Sequence, residues 1–357
     1  MNQILSEKDY QHEIMEYLQS VNGYRIRDAK KYDRYFAMDR DLLFEFLRTS
    51  QPDTMDELTK VFKGDTEETI VNVINQAATA DKGSMIEVLK NGLEISNKHL
   101  DLMYTKPATT FNKTLNQRYD DNIFSVIEEV WASDDERVDL VIFLNGIAII
   151  SFELKCNAIR QYRKTRNPKT RLFRFKAGCF VHFAMDLEEV YMATKLERDA
   201  TFFMPFNMGR GEGIEGGAGN PVYPDKYSVY YMWEDILKKN TLIDLISKFI
   251  YIERREQIDE KKGKKRYVET LIFPRYHQLD LIRKLLASVC EHGSSLNYLI
   301  EHSAGSGKTN SIAWLTYRLA SLHDVRNRII FDTIVIVTDR VVVDRQLQKA
   351  ILSMDHQ

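Results

Sequence analysis

The sequence predicts an α/β protein in two parts joined by a charged stretch. Three observations carry that reading: helical spacing of apolar residues through the first hundred or so positions, a change to short β-type runs from Asn122 onward, and a strand–glycine loop–helix pattern over residues 296–322.

In chain order, Ser6 caps the first expected helix, with Tyr10, Ile14 and Leu18 recurring along one face. Further helices are expected through Asp41–Leu47, Met55–Phe62 and Thr66–Ile74, separated by Gln51-Pro52-Asp53 and Gly64-Asp65. Val138–Leu144 and Ile147–Leu154 are apolar runs around Asn145-Gly146, a strong hairpin signal. Phe180–Ala184 and Val190–Ala193 are shorter strand candidates. Gly209–Asn220 is glycine-rich but carries Glu212 and Glu215 and no Gly-Lys, which favours a surface loop over a phosphate cradle. Residues 251–270 form the expected connector, dense in charge and ending near Lys261-Lys262-Gly263-Lys264-Lys265-Arg266. Beyond it come a strand at Leu296–Ile300, a loop at His302–Gly307, a helix at Thr309–Leu322 and a buried-type strand at Thr333–Thr338. The expected parts are therefore 1–250, the connector 251–270, and 271–357.

Bulk properties bound the function classes. Of 357 residues, 44% are hydrophobic and 29% charged, ordinary for a soluble globular protein. Cys156, Cys179 and Cys290 are too scattered for a disulfide framework, so a reducing cytoplasm is expected. No apolar run is long enough to span a bilayer, so no membrane partner is expected, and Met1–Lys8 lacks the features of a signal peptide. With a net charge of −2, a nucleic-acid surface must come from local segregation of charge. Ala158–Lys176 shows such segregation: it holds eight basic residues and no acidic one, which fits a DNA backbone track with Arg160, Arg163, Lys164 and Arg166 as candidate contacts. A solvated basic face is the competing reading.

Hydrolysing a phosphodiester needs an activated water and stabilised charge on the phosphate and leaving oxygen. Two carboxylates holding Mg2+ provide the Lewis acid, and a nearby lysine helps orient or deprotonate the water. Arg137-Val138-Asp139 … Phe152-Glu153-Leu154-Lys155 carries that set: Asp139 and Glu153 as metal ligands, Lys155 as the cation. Glu153 and Lys155 are two apart on a strand and share a face. Asp139 must share it too. A strict two-residue Asn145-Gly146 loop pairs Asp139 with Phe152 and turns Glu153 away; a three-residue loop, or a bulge with Gly146 left-handed, pairs Asp139 with Glu153. The chemistry requires the odd register. Taken alone, a Glu-x-Lys triplet is more often an exposed ion pair, but here it ends an apolar strand where buried charges need a partner or a metal. Cys179-x-x-His182 has metal-like spacing, yet Phe180, Val181 and Phe183 make it a pair of buried strand positions.

These residues resemble the PD-(D/E)xK restriction-endonuclease-like fold, with Val138 in place of the proline of the name. The resemblance implies an amino-terminal domain of that fold with a helical lead-in. Such folds often use an upstream acidic residue, for which Glu13 and Glu128 are candidates. RecB-like members add Gln-x-x-x-Tyr; here Gln161 is followed directly by Tyr162, so that spacing is not met.

His302-Ser303-Ala304-Gly305-Ser306-Gly307-Lys308-Thr309 lies between an expected strand and helix, the context a phosphate loop requires. Backbone N–H groups of Gly305, Ser306 and Gly307 and the helix N-terminus receive the phosphates of ATP, Lys308 reaches the β- and γ-phosphates, and Thr309 binds Mg2+. The segment resembles motif I of superfamily 2 helicases, with His302 standing where the strict motif has its first glycine, and implies a partial RecA-like domain. Gln278, in Phe273-Pro274-Arg275-Tyr276-His277-Gln278, resembles the adenine-reading glutamine of such motors. Thr333–Thr338 with Asp339-Arg340 resembles motif Ia, which makes Arg340 a candidate DNA contact. A motor of this kind also needs a later acidic motif and a second lobe. Neither occurs before Gln357, so this stretch alone is expected to bind ATP without turning it over.

With Leu172-Phe173-Arg174-Phe175-Lys176, Pro205-Phe206-Asn207, Gly216-Gly217-Ala218-Gly219-Asn220-Pro221 and Thr338–Leu347, the chain is similar to the amino-terminal part of the restriction (R) subunit of type I restriction–modification enzymes. That resemblance implies a cytoplasmic complex with methyltransferase (M) and specificity (S) subunits, which moves double-stranded DNA with ATP and cuts it with Mg2+. Two other readings stay open: a single-chain restriction–modification enzyme or other helicase–nuclease, and a non-cutting ATP-dependent DNA-binding module.

Overall fold

The computed structural model describes residues 7–107, 111–211, 218–258, 265–303, 305–324 and 326–354. The chain divides into two compact units, Met1–Ile246 and Ser247–Gln357. Among the described residues it is a mixed α/β structure with eleven α-helices and one large mixed sheet.

The first unit opens with α1 (Glu7–Ser20), which buries Tyr10, Ile14 and Leu18. The expected cap, Ser6, lies outside the described residues. Three short strands follow, β1 (Arg25–Arg27), β2 (Tyr32–Asp33) and β3 (Met38–Asp39), then α2 (Arg40–Ser50), α3 (Pro52–Phe62), α4 (Thr66–Thr79) and α5 (Met85–Asn91). Asp39 ends β3 and caps α2, accepting from the Leu42 N–H. Pro52 opens α3 where its missing N–H has no intrahelical partner to lose. A hairpin of β4 (Leu93–Ile95) and β5 (Lys98–Leu100) and the helix α6 (Lys113–Asp120) complete this stretch. The lead-in is thus not purely helical. Strands of two or three residues are too short to show periodicity, and β1 is largely exposed.

The sheet is built by β6 (Phe124–Trp131), β7 (Arg137–Leu144), β8 (Ile147–Glu153), β9 (Val181–Met185), β10 (Val190–Ala193) and β11 (Met204–Pro205), in the order β1-β6-β7-β8-β9-β10-β11. β3 also pairs with β8. The β1–β6 and β8–β9 pairs are parallel and the others antiparallel. The helix α7 (Ala158–Lys164) lies in the crossover that the parallel β8–β9 pair requires. Central β7 and β8 are buried at nearly every position, as their continuous apolar runs dictate. Of the expected glycine-rich loop, residues 212–217 lie outside the described residues.

Asn145 and Gly146 both take positive φ, 50° and 78°, the signature of a two-residue type I′ turn, and Leu144 pairs with Ile147 across it. Gly146 also meets the start of α2: a Cβ there would lie 2.3 Å from the Asp39 carbonyl oxygen. Asn145 is fully buried and satisfied, accepting from the Ile123 N–H and donating to the Leu102 carbonyl and the Asn122 side chain. Beyond the turn the register slips. Phe143 pairs with Ala148 but Ile142 with Ile150, which leaves Ile149 as an extra residue on β8. Its carbonyl accepts from the Phe180 N–H instead.

In the second unit, after α8 (Lys239–Lys248), β12 (Tyr251–Ile258) and β13 (Lys265–Ile272) form an antiparallel hairpin. The expected connector 251–270 is therefore ordered at both ends; its middle, 259–264, lies outside the described residues. Its charges pair across the strands, Arg254 with Glu269 at 2.9 Å and Lys265 with Glu256 at 2.8 Å. Its base is apolar: Phe249 and Tyr251 pack on fully buried Trp314, whose Nε1–H donates to the Phe249 carbonyl. The unit continues with α9 (Tyr276–His292), α10 (Lys308–Ala320) and α11 (Val341–Met354). The strands expected at Leu296–Ile300 and Thr333–Thr338 do not form. Leu299 is 97% and Val337 89% exposed, because a strand needs a laterally bonded neighbour and none is supplied among the described residues.

Candidate active site

The bulge decides where the carboxylates point. Leu140 pairs with Phe152 beyond it, and continuing that register sets Asp139 opposite Glu153. The odd register is reached through a tight two-residue turn plus a bulge at Ile149, rather than through a longer loop. Each carboxylate gives one oxygen to the fold. Asp139 Oδ2 accepts from the Leu154 N–H at 2.7 Å, and Glu153 Oε1 accepts from Arg166 Nε at 2.7 Å, with Arg166 Nη2 also 2.6 Å away. The other two oxygens, Asp139 Oδ1 and Glu153 Oε2, converge on the Lys155 ammonium at 3.3 and 3.8 Å. Glu153 Oε2 is buried without a hydrogen-bond partner. Burial first, and the Asp139 carboxylate second, push Glu153 up to about 8, against the pull of Arg166 and Lys155.

Two hard carboxylate oxygens that meet at the Lys155 ammonium are ligands of the kind a small divalent ion such as Mg2+ takes, and the Glu153 one lacks a hydrogen-bond partner. Among the described residues no group of three or more His, Cys, Asp and Glu side chains is disposed to hold a metal. Neither upstream candidate supplies a third carboxylate. Glu128 pairs with Leu140, one residue out of phase with Asp139, and takes a hydrogen bond from Gln11; Glu13 accepts from Tyr227.

Beneath the cluster, Ser151 shares the face of Glu153 and hydrogen-bonds both Tyr162 and His182 Nδ1, at 2.9 and 2.8 Å. Burial depresses the His182 imidazole to about 3, so it stays neutral. Cys179 and His182 are both buried, as their apolar neighbours imply, but only His182 lies in a strand, Cys179 standing two residues before β9. The Ser151–Tyr162–His182 network has no local spacing that would reveal it in the sequence.

Half of the basic residues of Ala158–Lys176 are drawn into the fold. Arg166 is 3% exposed and serves Glu153, so it is not a DNA contact, because its guanidinium is turned inward. Arg163 donates to the Thr201 carbonyl, Lys164 pairs with Asp199 at 2.7 Å, Arg171 with the Ala177 carbonyl, and Lys176 with the Asp81 carbonyl. Arg160, Lys164, Lys169 and Arg174 are exposed.

In the second unit, Gly305 and Gly307 adopt positive φ, 74° and 85°, and Gly307 leads into α10, which begins at Lys308 with Thr309 behind it. Ala304 lies outside the described residues. The Lys308 ammonium donates to the His302 and Ser303 carbonyls at 2.9 and 3.2 Å, and Ser306 is buried. Gln278 is buried against the loop: its Nε2 donates to the Gly307 carbonyl and its Oε1 accepts from the Arg275 N–H. Each end of its amide is thus held within the protein. Arg340 is exposed, 3.4 Å from Asp339.

No helix among the described residues is long and apolar enough to cross a membrane, and the three cysteines are free. No curated protein matches the chain. Residues 4–201, more than half of it and including Asp139, Glu153 and Lys155, match the family described as type I restriction enzyme R protein N terminus, and the chain belongs to that family.

Proposed function

We propose that this chain is the nuclease-bearing part of an ATP-dependent type I restriction endonuclease. In this reading the first unit is a PD-(D/E)xK domain that cuts DNA phosphodiesters, and the second is the start of a RecA-like motor lobe that binds ATP. The observation that carries it is the convergence of Asp139 Oδ1 and Glu153 Oε2 on the Lys155 ammonium, in the bulged register. Asp139 and Glu153 would hold Mg2+ through those oxygens. The bound ion would supply Lewis-acid stabilisation of charge on the phosphate. Lys155, tethered between the carboxylates, orients the attacking water or the phosphate and balances their charge. Lys308 and Thr309 are the residues that would engage the phosphates and Mg2+ of ATP, and M and S subunits would direct the assembly to its DNA.

One observation favours a non-cutting module instead. Two carboxylates, Lys155 and Arg166 already form a charge-balanced set. A cleavage assay separates the readings. In the complete R subunit assembled with its M and S partners, Asp139→Ala is expected to abolish Mg2+- or Mn2+-dependent cutting while leaving DNA-stimulated ATPase near the parental rate. Unchanged cutting would remove Asp139 from the chemistry.

A further inference from the structure

The chain leaving α7 turns back into the sheet and carries a charge with it. Glu136, itself buried, holds this turn: its carboxylate accepts from the Asn167 N–H, from Thr170 Oγ1 at 2.7 Å and from Ser133 Oγ at 2.9 Å. Arg166, one residue before the clasp, is thereby directed inward. Its Nη2 donates to the Arg137 carbonyl at 2.6 Å, at the start of the strand that carries Asp139. Its Nε donates to Glu153 Oε1 at 2.7 Å. The guanidinium thus bridges the two strands of the site, and only one oxygen of Glu153 is hydrogen-bonded.

We propose that Arg166 is a positioning residue: by holding Glu153 through Oε1 alone, it leaves Oε2 as the single oxygen offered to the divalent cation. This rests on the nuclease reading above. The two N–H groups lie in one rigid plane, which an ammonium cannot reproduce. A basic residue so near a ligand opposes cation binding through its charge, so its presence is explained by orientation rather than attraction. Arg166 belongs to the site by geometry although its neighbours in sequence belong to a basic run.

The test is Mn2+ binding to the complete, nucleotide-free R subunit, followed by electron paramagnetic resonance, for the parent, Arg166→Lys, Arg166→Gln and Glu153→Gln. Loss of orientation is expected to weaken Mn2+ binding by roughly 10- to 100-fold in Arg166→Lys, the usual range for residues behind a metal ligand. DNA affinity in EDTA and ATPase should be unchanged, and cutting should recover at high Mn2+. A purely electrostatic role predicts the opposite sign for Arg166→Gln, tighter Mn2+ binding once the positive charge is gone, and that result would overturn the proposal. So would parental Mn2+ affinity in Arg166→Lys, or a fall in DNA affinity as the main effect. Failure of both Arg166 variants to fold would likewise overturn it, in favour of a structural ion pair. If Glu153→Gln binds Mn2+ like the parent, the nuclease reading itself fails, independently of Arg166.

Discussion

The charges of Asp139, Glu153 and Lys155 gather at the end of an apolar strand, where only a partner or a metal makes them tolerable. Arg166 reaches them from a basic run thirteen residues beyond Glu153, in which nothing local distinguishes a guanidinium turned inward from its exposed neighbours. His182 is the complementary case, a residue whose metal-like spacing with Cys179 hides a neutral buried imidazole. Its titration has a consequence for stability. The imidazole titrates near the ordinary value of about 6.5 when unfolded and near about 3 in the fold, so the unfolded chain binds more protons between those limits. The contribution is fully present above pH 6.5 and is lost as pH falls towards 3, on the order of 2 kcal/mol by pH 5. His182→Gln should therefore show a thermal midpoint that declines less steeply on acidification than that of the parent. Parallel declines would mean that the imidazole titrates alike in the folded and unfolded chain.

At the scale of elements, apolar runs and Asn145-Gly146 were enough to place β7, β8 and their turn, since a type I′ loop follows from local chemistry. The bulge was not placed, because the Ile149 carbonyl is taken by Phe180, a residue remote in sequence. Gly146 ties the turn to α2, and Gly146→Ala is expected to lower stability by at least about 1–3 kcal/mol, read by chemical denaturation. An unchanged midpoint would mean that α2 is not seated on the turn. The strands at 296–300 and 333–338 failed for a related reason: apolar pattern sets strand propensity, but pairing needs a neighbour. The basic segment is reduced in the same way, from a continuous track to the exposed Arg160, Lys164, Lys169 and Arg174. Reversing these four charges should weaken sequence-independent DNA binding and flatten its dependence on log salt by roughly 0.9 for each phosphate no longer neutralised. If affinity and slope both hold, the DNA path lies elsewhere.

For the whole molecule, the division into two units sets the Asp139–Glu153–Lys155 cluster and the Gly305–Thr309 segment on separately compact bodies, so the two activities proposed for them should be separable by mutation. A hairpin dense in charge reads in the sequence as a solvated linker until its cross-strand pairs are seen. The measurement that tests the account most directly is cutting and ATPase together, in the complete assembled enzyme, for Glu153→Ala and Lys308→Ala. Glu153→Ala should retain DNA-stimulated ATPase and lose all metal-dependent cutting, because the cation loses a ligand while the phosphate loop is untouched. Lys308→Ala should lose ATPase and, with it, cutting that depends on translocation. Persistent cutting by the Glu153→Ala enzyme would contradict the account, for the Asp139–Glu153–Lys155 cluster would then be a structural ion pair.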